Sequence, residues 1–129
     1  MKKILVVDDD VDMLSVVDLM LTHHDFKVKT TTRWQTISQT IKSFIPDLIL
    51  LDINLKGADG GEICKTLKQS KETQQVPVIL YSTLLPEEYL KVSNAQGFLP
   101  KPCLKTACQR SQPQCRLPLE VLGNSFGQS

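Results

Sequence analysis

The chain has 129 residues, of which 41% are hydrophobic and 22% charged, a composition typical of a single globular domain with its own core. The formal net charge of +1 provides no general attraction to nucleic acid or to an anionic membrane. The apolar run over residues 4–7 is too short for a signal peptide, and no transmembrane segment is predicted. We therefore expect a cytoplasmic protein with no direct nucleic-acid partner and no membrane partner.

The cysteines do not form a recognisable metal-binding pattern. They are Cys64, Cys103, Cys108 and Cys115, with no C-x-x-C pair and no neighbouring histidine. Zinc sites usually show such spacing. We expect reduced thiols, with Cys64 as a small core residue of a helix.

The first predicted strand ends in carboxylates. The apolar run over residues 4–7 is followed at once by Asp8, Asp9 and Asp10. Apolar residues over 11–21 then recur at helical spacing, with Asp10 as the natural N-cap. Capping accounts for one of the three aspartates and leaves two to explain.

Two elements precede a central strand. The alternation over residues 26–30 predicts a half-exposed strand. Residues 34–44 place apolar side chains on one helical face, and Pro46 ends that helix. The apolar run over residues 48–51 then predicts a fully buried strand that delivers Asp52 to the edge of a sheet.

The next segment repeats this pattern. Residues 56–61 predict a glycine-rich loop, and residues 63–68 a third helix. The apolar run over residues 76–81 predicts another buried strand, which ends at Ser82. A polar side chain again follows the strand.

The C-terminal third is less regular. Residues 86–93 predict a short fourth helix. Residues 98–102 predict a short edge strand, where Pro100 is tolerable, ending near Lys101. An amphipathic fifth helix begins at residue 104 but is truncated or irregular, because its apolar stripe fails before Pro113.

Strands that alternate with helices predict an α/β fold with a five-stranded, parallel, doubly wound sheet. In such sheets the functional crevice lies outside the carboxyl ends of the strands. Five polar residues follow predicted strands: Asp8, Asp9, Asp52, Ser82 and Lys101. We expect them to converge on one site.

That set of residues favours phosphoryl chemistry. Converging carboxylates repel one another unless a cation compensates, and an oxygen-only cluster favours Mg²⁺. Asp52 would attack a phosphoryl group, Lys101 would stabilise charge on its oxygens, and the Ser82 hydroxyl would donate to one of them.

The span from Lys3 to about Leu104 resembles the receiver domain of a two-component response regulator, of the single-domain, chemotaxis-regulator-like kind. The segments that carry this resemblance are residues 4–10, 46–55, 59–60, 77–82 and 97–102. The family's flavodoxin-like fold agrees with the strand and helix order predicted above.

The resemblance implies a phosphoacceptor and a metal site. It implies phosphorylation at Asp52 by a sensor histidine kinase or a histidine phosphotransfer protein. It also implies Mg²⁺ held by Asp9, Asp52 and the backbone carbonyl of Asn54, with Asp8 contributing through water. Self-catalysed phosphotransfer and autodephosphorylation would be the only reactions, so we expect a switch rather than an enzyme.

The resemblance also implies how the switch operates. Ser82 would be the switch hydroxyl and Phe98 the aromatic residue that changes rotamer. Lys101 would bind the phosphate, just before a cis proline at Pro102. The downstream protein partner is not identified by these motifs.

The chain departs from the family pattern at several places. Lys56 stands where the family usually has proline, which predicts a looser loop or repulsion of an approaching cation. The short segment before Phe98 alters the usual output surface. We expect residues 1–112 to form the receiver domain and residues 113–129 a tail, which is flexible or a linker stub; an arm that pairs two protomers into a homodimer is the alternative.

Two other functions compete with this interpretation. An aspartate-nucleophile phosphatase also carries two aspartates one residue apart after a strand, but it normally has a hydroxyl or β-branched residue where this chain has Asp12. A receiver that binds its partner without phosphorylation is the third possibility. In that case Asp52→Asn would leave partner binding intact.

Overall fold

The computed structural model describes residues 1–82, residue 95 and the backbone of residues 97–100. The strands in chain order are β1 (Lys3–Val7), β2 (Lys27–Thr31), β3 (Leu48–Asp52), β4 (Asn54–Leu55), β5 (Ala58–Asp59), β6 (Val78–Ser82) and β7 (Gly97–Pro100). The helices are α1 (Val11–His23), α2 (Ile37–Phe44) and α3 (Gly60–Gln69), and a 3-10 turn (Trp34–Thr36) precedes α2.

Five of these strands form one parallel sheet in the order β2-β1-β3-β6-β7. The predicted five-stranded parallel sheet is therefore confirmed. Strands β1 and β3 are neighbours near the middle of the sheet, with β2 on one side and β6 and β7 on the other. Because the strands are parallel, their carboxyl ends lie at the same edge of the sheet. Pro100 lies in the edge strand β7, where its missing N–H is tolerated.

The sheet is covered on both faces, as a doubly wound arrangement requires. One face packs against α1, and the other packs against α2 and α3. The strand residues that touch α1 are Ile4, Val6, Leu48, Leu50, Ile79 and Tyr81, and those on the opposite face are Leu5, Val7, Ile49, Leu51, Val78 and Leu80. Because every residue of β3 and β6 is buried, these strands have the continuous apolar sequence of a two-sided core.

Predicted local features of the first helix and the core are confirmed. The Asp10 side chain caps α1 by accepting from the backbone N–H groups of Asp12 and Met13. The predicted core role of Cys64 also holds, since its side chain is fully buried between α3 and the sheet.

The segment after β3 differs from the predicted glycine-rich loop. Residues 54–55 and 58–59 pair as a short antiparallel hairpin, and α3 begins at Gly60 rather than near Ile63. The side chain of Asp59 caps the helix by accepting from the Gly61 N–H at 2.7 Å. The two glycines therefore occupy the first turn of α3, because the helix starts against the end of β3.

Other predictions fall on residues that the structure does not describe. These are the fourth and fifth helices, Lys101, the cis bond at Pro102 and the tail at 113–129; of Phe98 only the backbone is described. Within the described residues, no helix combines the length and the apolar character needed to span a membrane.

Candidate functional site

Three carboxylates meet at the carboxyl edge of the sheet. Asp8 and Asp9 follow β1, and Asp52 is the last residue of β3. Val7 and Leu51 are paired in the parallel register, so both strands end at the same level. One oxygen from each of the three aspartates lies within 4.8 Å of the others. Asp8 and Asp52 are almost completely buried, with 0% and 1% exposure, whereas Asp9 is half-buried.

Asp8 is held by two donors. The hydroxyl of Tyr81 donates to Asp8 Oδ2 at 2.6 Å, and the backbone N–H of Asp10 donates to Oδ1 at 3.0 Å. Burial raises the pKa of Tyr81 far above its ordinary value of 10.0, and the negative charge of Asp8 is the second cause of this increase. Tyr81 is therefore a protonated donor throughout the physiological range.

Asp9 is held by the hairpin between β3 and α3. Its Oδ2 accepts the backbone N–H of Lys56 at 2.6 Å. The carbonyl of Lys56 in turn accepts the indole N–H of Trp34 at 3.1 Å. Both the N–H and the carbonyl of Lys56 are therefore hydrogen-bonded. The loop is held in place here, although a lysine at the family's proline position predicts a looser one.

Asp52 is linked to Ser82 through Asn54. The backbone N–H of Asn54 donates to Asp52 Oδ1 at 3.1 Å, and its side-chain amide donates to Ser82 Oγ at 3.3 Å. Ser82 is the last residue of β6 and is 1% exposed. The predicted phosphoacceptor and the predicted switch hydroxyl thus share one asparagine.

The first turn of α3 packs closely against the backbone of Asp52. A Cβ atom added at Gly60 would overlap the backbone carbonyl of Asp52, and the Gly60 N–H donates to the Ile53 carbonyl at 2.7 Å. Only a residue without a side chain allows the helix to approach this closely. Gly60 therefore sets the distance between α3 and the strand that carries Asp52.

The structure brings together most of the predicted site. The cluster consists of Asp8, Asp9 and Asp52. Ser82 is connected to Asp52 by Asn54, which donates a hydrogen bond to each of them. The strand that precedes Lys101 in sequence, β7, pairs with β6. Lys101 lies outside the described residues, and the roles of Phe98 and of the Asn54 carbonyl remain predictions.

Two contacts of the cluster were not predicted from the sequence. The sequence pattern places Tyr81 only in a buried strand, although a tyrosine hydroxyl inside an aliphatic strand usually requires a hydrogen-bond partner. The other contact is the amide of Lys56, and a backbone donor leaves no mark in the residue pattern. The first contact had a usable signal in the sequence, and the second had none.

The donor set fits a hard divalent cation. All three side chains offer carboxylate oxygens, and Mg²⁺ is usually bound through one or two carboxylates and several waters. The described residues of this cluster provide no thiolate or imidazole that would favour a softer metal. The cluster is thus chemically suited to Mg²⁺.

Comparison with known proteins agrees with the site. The chain matches the response regulator receiver domain family over residues 4–110. It is 34% identical over 82 residues to the response regulator PleD of Caulobacter vibrioides, covering 64% of this chain and 18% of PleD. It is 36% identical over 106 residues to the regulatory protein VirG of Rhizobium rhizogenes, covering 79% of this chain and 43% of VirG.

Solved structures show the same similarity. The chain superimposes on the BeF3-activated N-terminal receiver domain of Klebsiella pneumoniae RstA with a TM-score of 0.76 at 26% identity, covering 98% of this chain and 100% of that one. A five-stranded parallel sheet with an aspartate cluster at its carboxyl edge is the arrangement of a phosphoacceptor switch. The chain belongs to the response regulator receiver domain family, whose members function in two-component signalling. It spans less than half the length of PleD and of VirG.

Proposed function

We propose that Asp52 of this receiver accepts a phosphoryl group from a sensor histidine kinase or a histidine phosphotransfer protein, and that Mg²⁺ is required. The observation that carries the proposal is the convergence of three carboxylate oxygens within 4.8 Å at the edge of the sheet. Receiver domains interact with such donors and bind Mg²⁺ in an acidic pocket, and family membership supports the same chemistry here.

In the transfer step, one carboxylate oxygen of Asp52 forms a bond to phosphorus. The bond between phosphorus and the donor histidine nitrogen breaks, and the nitrogen keeps the electron pair. The N–H of Asn54 holds Oδ1 of Asp52 and so orients the carboxylate. Asp52 is 1% exposed, so the surrounding protein limits the access of bulk water to its carboxylate.

The metal would be held by Asp9, Asp52 and the Asn54 carbonyl, with Asp8 acting through water. Bound Mg²⁺ supplies charge compensation for the phosphoryl oxygens. Asp8 suits an indirect role, because Tyr81 and the Asp10 amide already donate to its two oxygens.

Phosphorylation would act on the Ser82 side of the site. A phosphoryl group adds negative charge and acceptor oxygens. The Ser82 oxygen accepts from the Asn54 amide, and its hydroxyl would donate its own proton to one of those oxygens. Lys101 would bind another phosphoryl oxygen, and Phe98 would change rotamer as Ser82 moves. The resulting surface change would alter the binding of a downstream protein.

The proposed boundaries are a receiver domain over residues 1–112 and a tail over 113–129. The family match, which extends to residue 110, supports this division. Slow loss of the phosphoryl group by autodephosphorylation would reset the switch. A flexible tail or linker stub is the favoured form of residues 113–129, and an arm that pairs two protomers into a homodimer is the alternative.

Intact-protein mass spectrometry with acetyl phosphate tests the proposal. Asp52→Asn removes the acceptor, whereas Asp12→Asn removes an exposed aspartate of α1 outside the cluster and is the matched control. The wild type and the Asp12→Asn variant should gain one phosphoryl group only with Mg²⁺, and the Asp52→Asn variant should gain none. Equal labelling of both variants would exclude Asp52 as the acceptor.

Hydrolysis of excess acetyl phosphate in many turnovers would instead favour the phosphatase. Retained partner binding by Asp52→Asn would favour a receiver that acts without phosphorylation. Each alternative thus gives a result that the proposal does not predict.

A further inference from the structure

The hairpin after β3 contains a two-residue turn, and the turn itself does not use the N–H of its first residue. Leu55 pairs with Ala58, so Lys56 and Gly57 form the turn, and Gly57 has a φ of +78°. A β-turn with a positive φ at its second central residue accepts proline at its first central residue. The hydrogen bond that is typical of such a turn joins the two residues that flank the central pair. The turn therefore does not need the N–H of Lys56.

That N–H is directed at the acidic cluster. It donates to Oδ2 of Asp9 at 2.6 Å, across 47 positions of sequence. A bond of this length between an amide and a carboxylate is a strong, charge-assisted one. It restricts the carboxylate of Asp9, which is half-buried and belongs to the cluster.

The residue that carries the donor is anchored through its next peptide group. The indole N–H of Trp34 donates to the Lys56 carbonyl at 3.1 Å. Trp34 packs in a partly buried position against the core on the α2 and α3 face. The Trp34–Lys56–Asp9 chain of hydrogen bonds thus connects a packed side chain to one of the carboxylates.

We propose that the backbone amide of Lys56 is a positioning group for Asp9 as a metal ligand, and that Trp34 holds this amide in place. The inference rests on the Mg²⁺ dependence proposed above. A ligand that is already oriented loses less conformational freedom when the cation binds, and outer-sphere partners of metal ligands typically contribute about 10- to 100-fold in affinity. Proline, the residue that the family resemblance places at this position, has no N–H and cannot form this contact.

Two variants isolate the amide from the lysine side chain. Lys56→Ala removes the ammonium and keeps the N–H, whereas Lys56→Pro removes both and suits the turn geometry. Isothermal titration calorimetry of the full chain with MgCl₂ should give Lys56→Pro an affinity about 10-fold weaker than that of Lys56→Ala. Because neither variant has the charge, the comparison between them tests the backbone at position 56 without a contribution from the ammonium.

The outcomes separate this proposal from the proposed function. Equal Mg²⁺ affinities for Lys56→Ala and Lys56→Pro would overturn the positioning role and leave the phosphoacceptor proposal intact. A wild type that does not bind Mg²⁺ at all would overturn both.

A third variant keeps the test decisive if Lys56→Pro does not fold. Trp34→Phe keeps an aromatic ring at this position but removes the indole N–H, together with part of the packed ring system, so it should weaken Mg²⁺ binding while Lys56→Ala does not. In ¹⁵N-resolved NMR spectra recorded without metal, the Lys56 amide proton should lie downfield in the wild type and move upfield in Trp34→Phe. Addition of MgCl₂ to the wild type should change the chemical shift of this proton. An unchanged Mg²⁺ affinity and an unchanged amide proton shift in Trp34→Phe would contradict the proposal.

Discussion

Replacing Tyr81 with phenylalanine is the sharpest test of how the aspartate cluster is built. The ring is fully buried against α1, and phenylalanine can keep that packing. The change removes the hydroxyl that donates to Asp8 Oδ2 at 2.6 Å. Asp8 is also fully buried, so water cannot readily replace the lost donor.

The expected loss follows from the nature of this bond. A hydrogen bond to a charged group contributes about 1.5–3 kcal/mol to the free energy of unfolding. Asp8 keeps the Asp10 amide as a donor at 3.0 Å in Tyr81→Phe, so the loss should lie near the middle of that range, at about 2 kcal/mol. The measurement is urea unfolding at neutral pH, followed by the fluorescence of Trp34, the single tryptophan.

A double-mutant cycle with Asp8→Asn isolates the charge. The asparagine carbonyl still accepts from Tyr81 but carries no charge, so Tyr81→Phe should cost only about 1 kcal/mol in that background. A Tyr81→Phe variant within about 0.5 kcal/mol of the wild type would refute the reasoning, because surface substitutions with no structural role behave in this way.

Three further predictions concern single positions. Gly60→Ala should lower the free energy of unfolding by about 1–3 kcal/mol in urea and reduce labelling by acetyl phosphate, because the added methyl overlaps the Asp52 carbonyl; unchanged stability and labelling would contradict the close approach of α3. Ile45→Gly should raise the free energy of unfolding by about 0.5–1 kcal/mol, because exposed Ile45 has a φ of +54° and the relief of this backbone strain exceeds the entropic cost of glycine. A loss of stability in urea unfolding would argue against a left-handed conformation at this residue. Burial raises the pKa of the Cys64 thiol from 9.0 to about 11, so the unfolded chain releases the thiol proton first. The free energy of unfolding of the wild type should therefore fall relative to Cys64→Ala, by on the order of 2 kcal/mol between pH 9 and pH 11, and a constant difference in urea unfolding would contradict a buried neutral thiol.

The sheet and the acidic cluster were predictable because the sequence marks them directly. Short apolar runs end in Asp8 and Asp52, and the alternation with helices places those ends at one edge of the sheet. The N-cap role of Asp10 follows from its position before a helical repeat, and the structure confirms it.

The details of the segment after β3 were not predictable to the same degree. A hairpin with two residues on each strand is too short to show an alternating pattern, and glycines favour a loop assignment. Gly60 belongs to the first turn of α3 because it packs against the Asp52 carbonyl, which is a tertiary contact. The Lys56 amide contact with Asp9 likewise joins backbone and side chain across the fold and depends on where the turn lies.

Phosphorylation of Asp52 itself can be located chemically. Sodium borohydride reduces an aspartyl phosphate to homoserine, and peptide mass spectrometry of the reduced, acetyl phosphate-labelled protein finds its position. We expect homoserine at position 52, with Asp8 and Asp9 unchanged. Homoserine at position 8 or 9, or labelled protein with an unmodified Asp52, would contradict this expectation.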